Sequence, residues 1–422
     1  MTEAVLARTR DAAPDALKPP PGNPRFPLFD SLRGLAALAV VLTHVGLASG
    51  ANGSAVYGAL TARLDVGVTM FFVLSGFLLY RPFVAARLED RPAPRVRDYA
   101  RRRVLRIVPA YWLALTALAI WPGLLFSGPR WSYYAFVQNY DLAWVLGGLG
   151  QAWSLAVEAS FYVLLPLYAL VLARLTRGRG PSGTARVEIG ALALLAAASI
   201  ALRWRVHHTD THTVLLFTIV GTFFWFALGM GLAVASAALS GRERMPGPVR
   251  LVERAPLVPW LAAAALFALM SYTFGLPKGL FGVRSGAQFL GEHLVYGTVS
   301  FLFVLPAVWG DARGGLPRRV LGLRPIAWLG LVSYGLFLWH ARWVEWLTAE
   351  GAGGWLSWIG SPFLVMLVCV LGISLACAAA SYYVVERPLL RFKDGFRRRQ
   401  REKASNTTAA TATQWAPTRS SG

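Results

Sequence analysis

Charge is what this 422-residue chain has little of: Asp, Glu, Lys and Arg make up 15% of it, against roughly 25% in soluble domains. What charge there is sits in short blocks between apolar runs, which excludes an ordinary water-soluble core. Cysteine is nearly absent. Cys369 and Cys377 fall eight apart in one apolar run, on what reads as a single helix, so they cannot easily meet. They read as small apolar-facing residues without a redox or metal role. Acidic residues are scarce beside basic ones, 21 against 42, for a formal net charge of +21. In a soluble protein that surplus would suggest nucleic acid. Here the basic blocks are explained by cytoplasmic loops that hold a membrane topology, and no nucleic-acid partner is expected.

Apolar runs are what the chain has in quantity. A run of roughly 18 residues can span a bilayer, and the expected spans lie near 30–49, 63–82, 105–126, 151–174, 186–203, 213–239, 257–274, 293–311, 326–348 and 362–385. The fold class is therefore an all-α polytopic membrane protein of about ten transmembrane helices. With both termini cytoplasmic, about 35 of the 42 Lys and Arg fall inside or at the inner ends of spans, as the positive-inside rule requires. Residues 1–28, rich in proline, read as a disordered cytoplasmic arm. Residues 29–390 form the transmembrane domain, and 391–422 a basic, then low-complexity, cytoplasmic tail. Residues 131–147 are apolar enough for a re-entrant or interfacial segment. No repeat supports an inverted-repeat transporter.

An ionisable group inside a span costs roughly 2.5 kcal/mol or more, so each one needs a reason. Arg33 and His44 are eleven apart, close to three helical turns, which puts both on one face roughly 16 Å apart along the axis. Arg33 could be a snorkelling anchor and His44 a core histidine, but the shared face implies one polar track. Arg103 and Arg106, three apart at the mouth of the third span, form a guanidinium pair of the kind that suits phosphate. Ser154 and Glu158 share a face of the fourth span. A carboxylate at that depth could orient His44 as a base. Ser333, Tyr334 and His340 lie on the ninth span, His340 two turns from Ser333 and beside Trp339. Ser75-Gly76 reads as a close-packing site. His207, His208 and His212 read as a solvated loop cluster, and no metal site has adequate spacing.

Six segments taken together resemble the acyltransferase 3 family of membrane acyltransferases. They are Phe29-Asp-Ser-Leu-Arg33-Gly through His44, Phe71-Phe-Val-Leu-Ser-Gly-Phe77, Arg103-Val-Leu-Arg106-Ile-Val-Pro109, Trp153-Ser-Leu-Ala-Val-Glu158, Ser333-Tyr334 through His340, and Tyr383-Val-Val-Glu386-Arg-Pro388-Leu. They occur in the family's order across residues 28–390. The resemblance implies an O-acyltransferase of a bacterial cytoplasmic membrane that moves an acyl group, commonly acetyl, from acyl-coenzyme A. No cofactor is held permanently; acetyl-coenzyme A is a co-substrate. The implied acceptor is a hydroxyl of a carbohydrate, glycolipid or glycosylated natural product. Arg33 and His44 match the family's Arg-x10-His pair, and Arg103 and Arg106 its donor-associated Arg-x-x-Arg. The resemblance and the polar track make His44, Glu158, Arg33 and His340 the catalytic candidates. Arg103, Arg106 and Arg33 are the donor-binding ones, and Trp153, Ser154 and Tyr334 the substrate-binding ones. The chain is expected to lack the extracytoplasmic esterase-like domain that some members carry. The competing reading is a transporter or exporter of a polar envelope precursor or glycosylated product.

Overall fold

The computed structural model describes residues 26–209, 213–279, 282–351 and 361–390. Among them every regular element is helical. Six long helices come first: α1 (Phe29–Ala48), α2 (Val66–Leu88), α3 (Val96–Leu118), α4 (Trp153–Leu175), α5 (Pro181–Thr209) and α6 (Ile219–Ala238). Then α7 (Gly247–Arg254) meets α8 (Leu257–Thr273) at 95°, and α9 (Gly286–Val308) follows. Last, α10 (Gly315–Leu321) meets α11 (Arg324–Ala349) at 58°, before α12 (Pro362–Ser381). Among the described residues, eight helices are long and apolar enough to cross a membrane, and up to ten if each bent pair is one span. These ten positions coincide with the ten apolar runs of the sequence.

The contact between α1 and α11 fixes how the bent pair α7–α8 is counted. A Cβ on Gly34 would sit 2.7 Å from the Gly330 nitrogen, and His44 meets His340. Both pairs have the same sequence offset of 296, so the two helices run side by side in one direction. Helices that start on the same face of a bilayer are separated by an odd number of crossings. That holds between α1 and α11 when α7 and α8 together cross once. The amphipathic α7 does not cross: Val249 and Val252 are buried while Arg250 and Arg254 are exposed, the pattern of a helix lying in the interface. Arg318 of α10 locks this corner. Its guanidinium donates to the carbonyls of Pro306 (2.9 Å), Val252 (3.0 Å), Trp309 (2.5 Å), Gly314 (3.1 Å) and Glu253 (3.2 Å).

Glycine sets the closest helix crossing. A Cβ on Gly229 of α6 would lie 2.0 Å from the Val73 carbonyl oxygen, and one on Gly76 of α2 would lie 2.4 Å from that of Phe226. Without side chains the two backbones touch, the small-residue packing that membrane helices use. The close-packing role expected of Ser75-Gly76 thus belongs to Gly76. Residues 131–147 make no span. They fold as short turns, Arg130–Tyr134 and Gln138–Tyr140, held at the end of α3 by Tyr111 Oη donating to Tyr133 O (3.0 Å) and Trp112 Nε1 donating to Tyr134 O (3.0 Å). Asn139 Nδ2 donates to the carbonyls of Trp153 (2.7 Å) and Phe217 (2.6 Å), anchoring the starts of α4 and α6. Such irregular backbone is tolerated at membrane depth when its polar groups are satisfied by protein.

Candidate functional site

Between α1, α2, α3, α4 and α11 lies a cavity with about 50 Å³ of free space, room for several waters. Arg33, Arg103, Arg106 and Glu158 line it, with Ser154, Tyr162 and Tyr334 among their neighbours. Three guanidinium groups and one carboxylate line the cavity. Two more carboxylates flank it: Asp30 pairs with Arg33 at 3.0 Å, and Glu386 lies within electrostatic reach of Arg106. Arg103 stacks over the Tyr162 ring at 5.9 Å, and its buried Nε–H has no partner among the described residues. A buried donor left open in this way is costly unless a ligand or water fills it. Tyr334 Oη donates to Ile107 O (2.9 Å) and Ser154 Oγ to Gln151 O (3.1 Å), so both hydroxyls also brace the wall.

The second cluster lies farther along α1. His44 Nδ1 is 2.9 Å from Val40 O, which can only accept, so this nitrogen carries the proton. His340, fully buried, has Nδ1 within reach of Phe337 O (2.9 Å) and Leu336 O (3.1 Å), which assigns it the same tautomer. Its unprotonated Nε2 faces His44 Nδ1 at 3.3 Å. The His44 N–H is therefore shared between a helix carbonyl and a second imidazole. That leaves Nε2 of half-buried His44 with a lone pair and, among the described residues, no hydrogen bond. Gln151 steadies the partner: its Nε2 donates to the carbonyls of Phe337 (3.2 Å) and Leu338 (2.9 Å).

Two expectations about partners need correction. Glu158 does not orient His44; it accepts a hydrogen bond from Ser75 Oγ and sits among the arginines. The reason is electrostatic: a carboxylate in a low-dielectric bundle is held where opposite charges are. His340 takes the place beside His44 instead. Trp153 does not line the cavity. Its ring packs edge-on against Phe217 at 5.6 Å and against Phe72 at 6.3 Å. Arg33, Arg103, Arg106, Glu158, Ser154 and Tyr334 do come together. Ser75 and Tyr162 were missed as site residues. For Tyr162 the signal was its spacing of four from Glu158.

Other ionisable residues form a buried network between the start of α2 and α9 that the motifs do not announce. Arg63 donates to Glu292 and to the Pro277 carbonyl, Arg284 Nε donates to Glu292 at 2.8 Å, and Tyr296 donates to Asp65. Burial pushes the Asp65 carboxyl up to about 6, with the Tyr296 hydroxyl pulling the other way. His207 packs on Phe289 and His208 on Trp204, while His212 lies outside the described residues. Residues 1–25 and 391–422 of the arm and tail also lie outside them.

The multi-pass helical bundle thus holds an arginine-lined cavity and, where α1 meets α11, a pair of histidines, an arrangement suited to a membrane-embedded enzyme of group transfer. The chain belongs to the acyltransferase 3 family of acyltransferase domains, which it matches over residues 27–383. It is similar to the peptidoglycan O-acetyltransferase OatA of Listeria monocytogenes, 24% identical over 74% of this chain and 48% of that protein. It is also similar to nodulation protein 10 of Rhizobium leguminosarum bv. viciae, 25% identical over 86% of this chain and 93% of that protein. The exopolysaccharide production protein ExoZ of Rhizobium meliloti is 26% identical over 77% of this chain and 89% of its own. The chain spans about half the length of several of the curated relatives it matches, 55% of YrhL of Bacillus subtilis and 48% of the Listeria OatA. No solved structure matches it.

Proposed function

We propose that this protein transfers an acyl group, acetyl by preference, from acyl-coenzyme A to a hydroxyl of a carbohydrate-containing acceptor at a bacterial cytoplasmic membrane, with both termini on the cytoplasmic side. The observation that carries the reading is the pairing of one arginine-lined cavity with one imidazole whose free nitrogen is set by its neighbours. The phosphates of the donor meet Arg103 and Arg106, with Arg33 deeper along the same path. The closed cavity has too little room for the coenzyme, so the guanidinium groups swing outward on entry. Glu158, held by Ser75, keeps the three arginines together when no anion is bound.

At the reacting end, His44 Nε2 takes the proton of the acceptor hydroxyl as its oxygen attacks the thioester carbonyl. The carbon–sulfur bond then breaks, and the coenzyme A thiolate leaves with the proton that His44 returns. His340 accepts the His44 Nδ1–H throughout, so the imidazolium formed in the transition state is held in place and stabilised by that hydrogen bond. Ser154 and Tyr334 border the path along which the donor arm reaches this point. Carbohydrate acceptors are favoured because the similar proteins are named for peptidoglycan and exopolysaccharide.

The test is consumption of acetyl-coenzyme A carrying a labelled acyl carbon, by purified protein in nanodiscs. Wild type is expected to release free coenzyme A and pass the label to acceptor. His44→Ala is expected to lose transfer by at least about a thousandfold while keeping its folded yield. Retention of transfer by His44→Ala removes His44 as the base. Flux of a saccharide precursor without any donor consumption would instead mark an exporter.

A further inference from the structure

Three indole rings converge at the end of the bundle where α1, α3 and α11 finish. Trp121 stands in extended backbone (φ −154°, ψ 132°) just beyond α3. Its ring packs 5.3 Å from Trp343 and 5.7 Å from Trp346, which are themselves 6.0 Å apart. Trp343 is 5% exposed, whereas Trp121 is 60% exposed. One indole is thus a buried base and another an open face. Trp343 is one turn beyond His340 on α11, a rise of about 4.5 Å, and Trp346 about 9 Å. The cluster therefore stands just past the histidine pair, at the opposite end of α1 from Arg33.

Tryptophan at a helix end is often only an interfacial anchor. Two features go beyond that role. Belt residues spread singly toward lipid, whereas these three come from α11 and from the segment that follows α3, and close on one another. Beside them, the indole N–H of Trp339 is buried and makes no hydrogen bond among the described residues, which is unusual for a ring that ordinarily finds a partner when buried. On the open flank, Arg342 pairs with Glu345 at 2.9 Å, and Arg342 lies four residues before Trp346, on the same face. A flat apolar ring edged by donors and acceptors matches one chemical class well: a pyranose, whose C–H face is apolar and whose rim is hydroxyl.

We infer that Trp121 and Trp346, seated on Trp343, form the platform on which a sugar ring of the acceptor stacks so that its hydroxyl reaches His44. This rests on the acyl-transfer reading for the identity of the reacting hydroxyl. It does not need that reading for the binding itself. Full-length protein in nanodiscs is titrated with neutral oligosaccharides, a β-linked N-acetylglucosamine tetramer and cellotetraose, and binding is read by tryptophan fluorescence and calorimetry. Trp121→Ala and Trp346→Ala are each expected to weaken binding by about tenfold, and Trp121→Phe to recover most of the loss. Trp131→Ala removes another exposed indole outside the cluster and is expected to leave binding unchanged. Undiminished binding in the Trp121 and Trp346 variants, equal weakening by Trp131→Ala, or no binding of either saccharide by wild type overturns the platform. Acyl-coenzyme A consumption is followed in the same samples. Trp121-dependent binding without any donor consumption overturns acyl transfer and leaves the platform standing. Donor consumption with binding indifferent to Trp121 and Trp346 does the reverse.

Discussion

At the scale of single residues, the site turns on where protons sit. His44 and His340 each hand their Nδ1 proton to a carbonyl of their own helix, which leaves a row of lone pairs on the Nε2 side. His340 touches His44, and on the reading proposed above it acts through it as a positioning residue. His340→Leu is expected to lower kcat by about a hundredfold with little change in the donor KM. His340→Gln, which restores an acceptor oxygen toward His44 Nδ1–H, is expected to recover part of that loss. Steady-state kinetics on the two variants checks this, since a purely structural role would leave them equally impaired. Arg33 and His44 were legible in the sequence as one helical face, and Ser333 and His340 as another. That the two faces meet was not legible, because spacing within a helix says nothing about which helix lies opposite. Glu158 misled for the same reason: depth along the membrane can be counted, but the partner is chosen by charge, and three arginines outweigh one neutral imidazole.

At the scale of elements, glycine decides how closely α2 and α6 approach. Gly229 meets the Val73 carbonyl and Gly76 meets that of Phe226, backbone atoms that cannot move aside. Gly229→Val is expected to cost several kcal/mol and to abolish the monodisperse folded peak in detergent size-exclusion chromatography. Gly372→Ala in α12, with nothing near the added methyl, is expected to leave that peak unchanged or raise its melting temperature, as replacing a helical glycine does. The ten apolar runs marked the helices well because hydrophobic length is nearly the whole requirement for a span. The bends at α7–α8 and α10–α11 and the irregular segment after α3 were not legible. Those depend on particular carbonyls finding particular donors, as the five around Arg318 do.

At the scale of the whole molecule, the two halves of the chemistry occupy opposite ends of one helix, arginines toward the start of α1 and histidine and indoles toward its finish. In sealed vesicles, acyl-coenzyme A is expected to be consumed when added on the face where α1 begins, and to be inert on the other. Labelled acyl-coenzyme A supplied separately inside and outside oriented proteoliposomes measures this, and equal consumption from both faces would contradict the arrangement. The basic blocks of the sequence made the ends distinguishable, since they crowd toward one face of the alternating spans.

The constant offset between α1 and α11 also bears on assembly. His44 enters the membrane with α1, and its neighbour arrives almost 300 residues later, with α11. A ribosome-bound chain thus carries His44 for most of synthesis without the imidazole beside it. On the acyl-transfer reading proposed above, a chain cut short before α11 is expected to hold the helices of the arginine cavity and to transfer no acyl group.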